Sequence, residues 1–135
     1  MKKSHLLIVC FCMLMFAGCG SQVSVKGKVT FTDGSPVTRG GVEFLTPTYT
    51  ASGPIQPDGT YVIGSKKSGD GLPKGTYTVT VWAYEEIENA SGNPMAAKPA
   101  KPLIDLKYSS QHTSGLTCDV QGATVFDIKV EPFTK

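Results

Sequence analysis

The chain has 135 residues, a formal net charge of +2, four cysteines, two histidines and one tryptophan. That length holds about one ordinary domain. Two histidines are too few for a histidine-based metal centre, and the near-balanced charge supplies no basic stripe of the kind nucleic acid requires.

Met1, Lys2 and Lys3 form a short positive segment, Leu6 to Phe16 is an uncharged apolar run, and Ala17, Gly18 and Cys19 follow. Charge, then an apolar core, then small residues is the order of a secretory signal. A membrane span needs about 20 apolar residues, so the run is too short to be one. The segment Phe16-Ala17-Gly18-Cys19 resembles a bacterial lipobox, with Phe16 standing where an aliphatic residue is usual. The resemblance implies cleavage before Cys19 and acylation of its thiol. The expected plan is a signal peptide at 1–18, a lipidated tether at 19–22 and a folded domain at 23–135. Two or three acyl chains anchor stably, whereas one is marginal, so the expected partner is a membrane. Gly20 and Ser21 follow the cysteine, without the Asp that retains many Gram-negative lipoproteins at the inner membrane. This points to the outer membrane, facing periplasm or surface.

Loss of Lys2 and Lys3 with the signal leaves eleven basic residues against eleven acidic ones. The positive balance thus belongs to targeting, and no nucleic-acid partner is expected. Cys10 and Cys12 leave too, and acylation consumes Cys19. Cys118 then has no disulfide partner, and the domain must rest on its hydrophobic core.

Strands dominate the remainder. Val23, Val25, Gly27, Val29 and Phe31 alternate with Ser24, Lys26, Lys28 and Thr30, the period-two pattern of a half-buried strand. Asp33-Gly34-Ser35-Pro36 predicts a turn, and Arg39-Gly40-Gly41 a second break. Val42 and Phe44 flank Glu43 in a second strand, while Pro47 to Pro54 reads as irregular. Pro57-Asp58-Gly59 turns the chain into a short strand at Thr60–Ile63. After a polar loop at Lys66–Lys74 comes the clearest strand, Thr76–Tyr84. Its Tyr77, Val79, Val81 and Ala83 face one way and Thr76, Thr78, Thr80, Trp82 and Tyr84 the other. Residues 85–102, acidic and then rich in Ala, Pro and Lys, read as a long exposed loop. Leu103 to Tyr108 suits a short strand or a helical turn. Leu116, Cys118 and Val120, then Phe126, Ile128 and Val130, suggest a terminal hairpin across Gln121-Gly122. About seven short strands, evenly punctuated and without helical periodicity, indicate an all-β antiparallel sandwich.

Three segments in order carry a family resemblance: Gly27-Lys28-Val29-Thr30-Phe31-Thr32-Asp33-Gly34-Ser35-Pro36-Val37 running on to Gly41-Val42-Glu43-Phe44; Asp58-Gly59-Thr60-Tyr61; and Leu72-Pro73-Lys74-Gly75-Thr76-Tyr77-Thr78-Val79-Thr80-Val81. Together they resemble the carboxypeptidase regulatory-like, or transthyretin-like, β-sandwich domain of small bacterial envelope lipoproteins. The resemblance covers about residues 23–84. It implies a non-catalytic accessory module with Tyr61 and Tyr77 planted inward. The long 85–102 loop and the widened Lys66–Gly71 loop depart from the pattern, and loops on a rigid sandwich carry function.

Candidate chemistry is sparse. His5 leaves with the signal, so His112 is the one histidine of the domain. Iron dioxygenases on a related sandwich use two Tyr and two His, and the related purine-pathway hydrolases use several His and a C-terminal Tyr-Arg-Gly-Ser; both are excluded. Ser109, Ser110, His112 and Ser114, with Asp105 or Asp119, could form a nucleophile–base pair only if brought into hydrogen-bond reach; polar loop residues are the commoner explanation. An isopeptide bond from Lys26 or Lys28 to Asp127 would require burial, but alternation puts all three on the polar face. Asp33, Asp58 and Asp70 suit turns better than calcium, since no Asp-x-Asp-x-Asp loop is present. Cys118 falls on an apolar face as a buried thiol. Trp82 and Tyr84 lie on the Thr face, where exposed aromatics in a row can stack on sugar rings; large aromatics are usually mostly buried, so a covering loop or layer is expected over them. The expected function is a membrane-anchored, non-enzymatic structural or protein-contact module of the cell envelope. The alternative is a carbohydrate or peptidoglycan binder using Trp82 and Tyr84. No cofactor is expected.

Overall fold

The computed structural model describes residues 21–86 and 99–135. The segment 1–18, the expected acylation site Cys19 and most of the 85–102 loop lie outside the described residues. Eight strands follow in chain order: β1 Val25–Phe31, β2 Gly41–Thr46, β3 Tyr49–Pro54, β4 Thr60–Val62, β5 Gly75–Trp82, β6 Leu116–Val120, β7 Thr124–Val125 and β8 Ile128–Val130. Among the described residues, a 3-10 turn at Leu106–Ser109 lies between β5 and β6.

The strands form two sheets, and the fold is an all-β sandwich. Sheet I runs β4-β1-β7, with β8 also pairing with β1, and sheet II runs β3-β2-β5-β6. Inward residues follow the alternation of each strand. Val25, Val29, Tyr61, Ile128 and Val130 of sheet I meet Val42, Phe44, Tyr77, Val79, Val81 and Val120 of sheet II, all buried. Each such aliphatic or aromatic side chain contributes ~1.5–3 kcal/mol when withdrawn from water. Phe44 joins the two layers, its ring centroid 6.0 Å from Tyr77 and 6.1 Å from Phe126, within the range of tilted and edge-to-face contacts.

The structure departs from the sequence reading in three places. Tyr49–Pro54, read as irregular, is a regular strand forming a hairpin with β2 from Thr46↔Tyr49 to Gly41↔Pro54. Its inward positions are Tyr49, Ala51 and Gly53; the last two are too small to announce a buried face, yet small enough to let β4 approach. A Cβ on Gly53 would stand 2.1 Å from the Val62 carbonyl oxygen.

The terminal hairpin is not formed. Strand β6 pairs antiparallel with β5 in sheet II, whereas β7 and β8 pair with β1 in sheet I, and they do so in parallel. The chain crosses between sheets at Gln121–Ala123, because alternation fixes which side of a strand is buried but not which neighbour it joins. The sandwich is therefore mostly, not wholly, antiparallel. The break between β7 and β8 falls at Phe126, whose carbonyl accepts the Tyr61 hydroxyl. The backbone there crowds Gly27: a Cβ at that position would meet Phe126 O at 2.0 Å and the Tyr61 hydroxyl at 2.9 Å.

The parallel pairing in sheet I is itself the third departure. The 66–71 segment is a loop as the sequence indicates, and it is closed by its own hydrogen bonds. Asp70 accepts the backbone N–H groups of Ser65, Lys66 and Lys67 at 2.7, 3.0 and 3.2 Å. Asp33 and Asp58 repeat one simpler device. Each accepts the N–H and hydroxyl of the residue two positions on, Ser35 and Thr60, at 2.6–3.0 Å. These are side-chain-closed turns of the kind Asp-Gly dipeptides favour.

Candidate functional site

Strand β5 places Thr76, Thr78, Thr80 and Trp82 on the outer face of sheet II, opposite its buried row of Tyr77, Val79 and Val81. Among the described residues none covers the aromatics, and most of the 85–102 segment expected over them lies outside those residues. Trp82 is 42% exposed and Tyr84 37%. The physical reason lies across the ladder, where Trp82 pairs with Gly41. A Cβ on Gly41 would meet Cζ2, Cε2 and Nε1 of the indole at 2.6, 2.7 and 3.0 Å. Three ring atoms so close to one point mean that the indole lies broadside against the glycine, filling the space a side chain would take. An aromatic laid over a cross-strand glycine shields that glycine's backbone and keeps its own outer side toward solvent. The sequence reading had taken Gly40-Gly41 only as a break, and so missed why Trp82 stays outside.

Tyr84 continues the same face. It bridges to Pro102, and Glu85 donates its N–H to the Lys101 carbonyl at 2.8 Å. The two described ends of the 85–102 segment are thus drawn together beside the aromatics. Arg39 pairs with Glu86 at 3.2 Å on the same edge; both are exposed, and such a pair adds little to stability.

Next to Trp82 along the sheet is a shallow groove of about 350 Å³. Its floor is the cross-strand pair Glu43↔Thr80 with Leu45, and its wall is the segment Ser109–His112. The wall is held by the 3-10 turn: Asp105 caps it through the Lys107 N–H at 2.9 Å, Lys107 pairs with Glu131, and Ser109 Oγ donates to the Val81 carbonyl at 3.4 Å. This overhang explains why Thr80, a polar residue on an outer face, is only 4% exposed.

The groove brings Ser109, Ser110 and His112 together with Glu43, a residue not singled out in the sequence. The signal that could have found it is the register of β2 on β5, which sets Glu43 opposite Thr80. The hydroxyls, however, serve the loop. Ser110 Oγ accepts the His112 backbone N–H at 3.3 Å, and Ser114 Oγ accepts that of Leu116 at 3.4 Å. Of the two carboxylates that could have oriented the imidazole, Asp105 caps the turn and Asp119 accepts from Gln121 at 2.7 Å.

The remaining candidates sit elsewhere. Lys26, Lys28 and Asp127 share the outer face of sheet I, lining a second groove of about 330 Å³ with the exposed Val62 and Val125. All three are exposed. Asp127 accepts the Lys28 backbone N–H at 2.9 Å, so they lack the burial an isopeptide bond needs. Among the described residues, no group of three or more His, Cys, Asp or Glu side chains comes together as metal ligands. Asp33, Asp58 and Asp70 are each committed to a separate turn. Their hydrogen bonds hold the carboxyls below the usual range: for Asp33 and Asp58 chiefly the Ser35 and Thr60 hydroxyls, for Asp70 chiefly the Ser65 N–H. Cys118 is a free, buried thiol, raised by burial and secondarily by Asp119. Burial likewise raises Tyr61 strongly, with smaller contributions from Cys118 and Asp127.

No protein-family model and no curated protein matches the chain. It is similar to one solved structure, a DUF3823 family protein from Bacteroides ovatus, at 20% identity and a TM-score of 0.48. The match covers 82% of this chain and spans 45% of that one.

Proposed function

We propose that the chain is an exported lipoprotein of the cell envelope. In this reading it is anchored by acyl chains on Cys19 and carries a non-enzymatic β-sandwich of the carboxypeptidase regulatory-like, or transthyretin-like, type. The anchor rests on the order of Lys2-Lys3, the apolar run to Phe16, and Ala17-Gly18-Cys19. Strand β1 opens only six residues after Cys19, and six extended residues reach ~20 Å, so the sandwich would ride close to the bilayer. Mass spectrometry of the mature N-terminus should find an acylated Cys19, and Cys19→Ser should release the protein from membranes. A free, unmodified terminus would remove the anchor from the proposal.

As an envelope module, the domain serves structure or contact with a neighbouring molecule. The observation that carries a contact role is the pair Trp82 and Tyr84, exposed in a row on a rigid sheet. The same observation favours a second reading, that the contact is with a glycan, since an indole presented broadside can stack on the C–H face of a sugar ring. Trp82→Ala should then abolish retention on immobilised envelope glycan. Retention unchanged by that substitution, with the fold intact, would return the contact role to protein partners.

A further inference from the structure

We infer that the groove beside Trp82 is a saccharide subsite selective for neutral, hydroxyl-rich sugars over acidic ones; the inference rests on the glycan-binding reading of that face. Three observations converge on it. The indole is fixed broadside by Gly41, which gives a flat apolar platform whose orientation is set before any ligand arrives. One same-face step along the ladder, ~6.6 Å away, stands the pair Glu43↔Thr80. Over that pair hangs the wall Ser110, Gln111 and His112. A sugar needs this combination: an apolar surface for its C–H face, and a dense mixture of donors and acceptors for the hydroxyls around its edge.

The chemistry of the lining sets the selectivity. Among the described residues, Glu43 is the one carboxylate lining the groove, and neither Lys nor Arg lines it. A carboxylate accepts hydrogen bonds from two adjacent sugar hydroxyls, and charge-assisted bonds of this kind are the stronger ones. A uronic acid or phosphorylated sugar would instead set a second negative charge against Glu43 with no cation to offset it. The Gln111 amide and the His112 ring extend the donor set, and they suit a hydroxyl or an N-acetyl carbonyl. Arg39, Lys101 and Lys107, the basic groups described on this side, are paired with Glu86, Glu85 and Glu131, and Lys26 and Lys28 lie on the outer face of the other sheet.

The chain's single tryptophan makes the test direct. The full chain is held in a zwitterionic detergent without a sugar head group. It is titrated with β-1,4-linked N-acetylglucosamine oligomers, with cello-oligosaccharides, and with polygalacturonate oligomers of matched length. Tryptophan fluorescence and calorimetry are read together. The expected result is a saturable blue shift with a neutral oligomer and at least tenfold weaker binding of the acidic one. Glu43→Gln and Gln111→Ala should each weaken neutral binding at least tenfold, with unchanged circular dichroism. If Trp82→Ala abolishes binding while Glu43→Gln and Gln111→Ala bind like the parent, the groove inference is overturned and the aromatic platform stands. Tighter binding of the acidic oligomer also overturns it. If no oligomer moves the fluorescence and none gives heat, the glycan-binding reading falls with it.

Discussion

The two outer faces of the sandwich obey the same alternation rule and differ in what they carry. On sheet I the outward positions are Lys26, Lys28 and Lys129 with Asp127. Long charged side chains lay their stems over a sheet and keep their heads in water. On sheet II the outward positions of β5 are threonines leading to Trp82, facing Glu43 and Leu45 across the ladder. Short side chains leave the sheet floor low, so a neighbouring segment can overhang it and a ring can lie flat on it. Alternation thus decides which residues point outward, and their length decides what the face offers: on sheet I charged side chains flank a groove with the exposed Val62 and Val125, and on sheet II short ones leave room for an overhanging segment and a flat ring.

The sharpest way to break this comparison is through the two glycines that crowd each face from within. Gly27→Ala forces a Cβ into the Phe126 carbonyl, a backbone group with no room to yield. The expected loss is ~3 kcal/mol, from overpacking together with disruption of a buried hydrogen bond, measured by denaturant unfolding. Tyr61→Phe tests the same knot more gently. It deletes only the hydroxyl that the Phe126 carbonyl accepts, so a loss of ~1–2 kcal/mol is expected.

Gly41→Ala on sheet II is the counterpart with a softer outcome. Its Cβ would meet the ring of a half-exposed Trp82, and that ring can swing outward. A loss of ~1 kcal/mol is expected, accompanied by a red shift of tryptophan fluorescence that Gly27→Ala lacks in its folded fraction. Tyr49→Phe is the mirror of Tyr61→Phe. The Tyr49 hydroxyl is buried and finds no hydrogen-bond partner among the described residues, so its removal should leave stability within ~0.5 kcal/mol of the parent or raise it.

The smallest effect is that of acid on the turns. Asp33, Asp58 and Asp70 are held below the usual carboxylate range by their hydrogen bonds. A group depressed on folding adds stability that is fully present above its unfolded value and is lost as pH falls through its folded one. Loosening of the three loops should therefore begin only below ~pH 4. Hydrogen exchange at Ser35, Thr60 and Ser65–Lys67 would reveal it, with Asp70→Asn showing faster exchange at Ser65–Lys67 already at neutral pH.

Much of the fold was legible in the sequence where burial and period coincide. Val25 and Val29, Val42 and Phe44, and the row Tyr77–Val79–Val81 declare their inward faces, and the inward placement of Tyr61 and Tyr77 follows. What local patterning could not supply was partnership. Leu116–Val120 and the segment after Thr124 looked like two arms of a hairpin, yet they belong to different sheets. Strand β3 was invisible because, after Tyr49, its inward residues are the small Ala51 and Gly53. The candidate site was half legible. Trp82 and Tyr84 were marked by their face, but the broadside seat of the Trp82 indole depends on Gly41 across the ladder. The groove joins Glu43 to His112 over 69 residues of sequence, a distance that no periodicity spans.

The parallel pairing of β1 with β7 and β8 bears on how the molecule is made. Sheet I has its earliest strand at the centre and its latest strands beside it, so β1 keeps an unfilled edge until Thr124–Val130 has been delivered. Contacts between such distant segments are slow to form, because closing the long loop comes first. A nascent chain of this topology cannot complete sheet I before Thr124–Val130 emerges, although the β2–β3 hairpin of sheet II needs no such wait. Under the export proposed above, that delay would favour passage through a translocation channel before the sandwich closes.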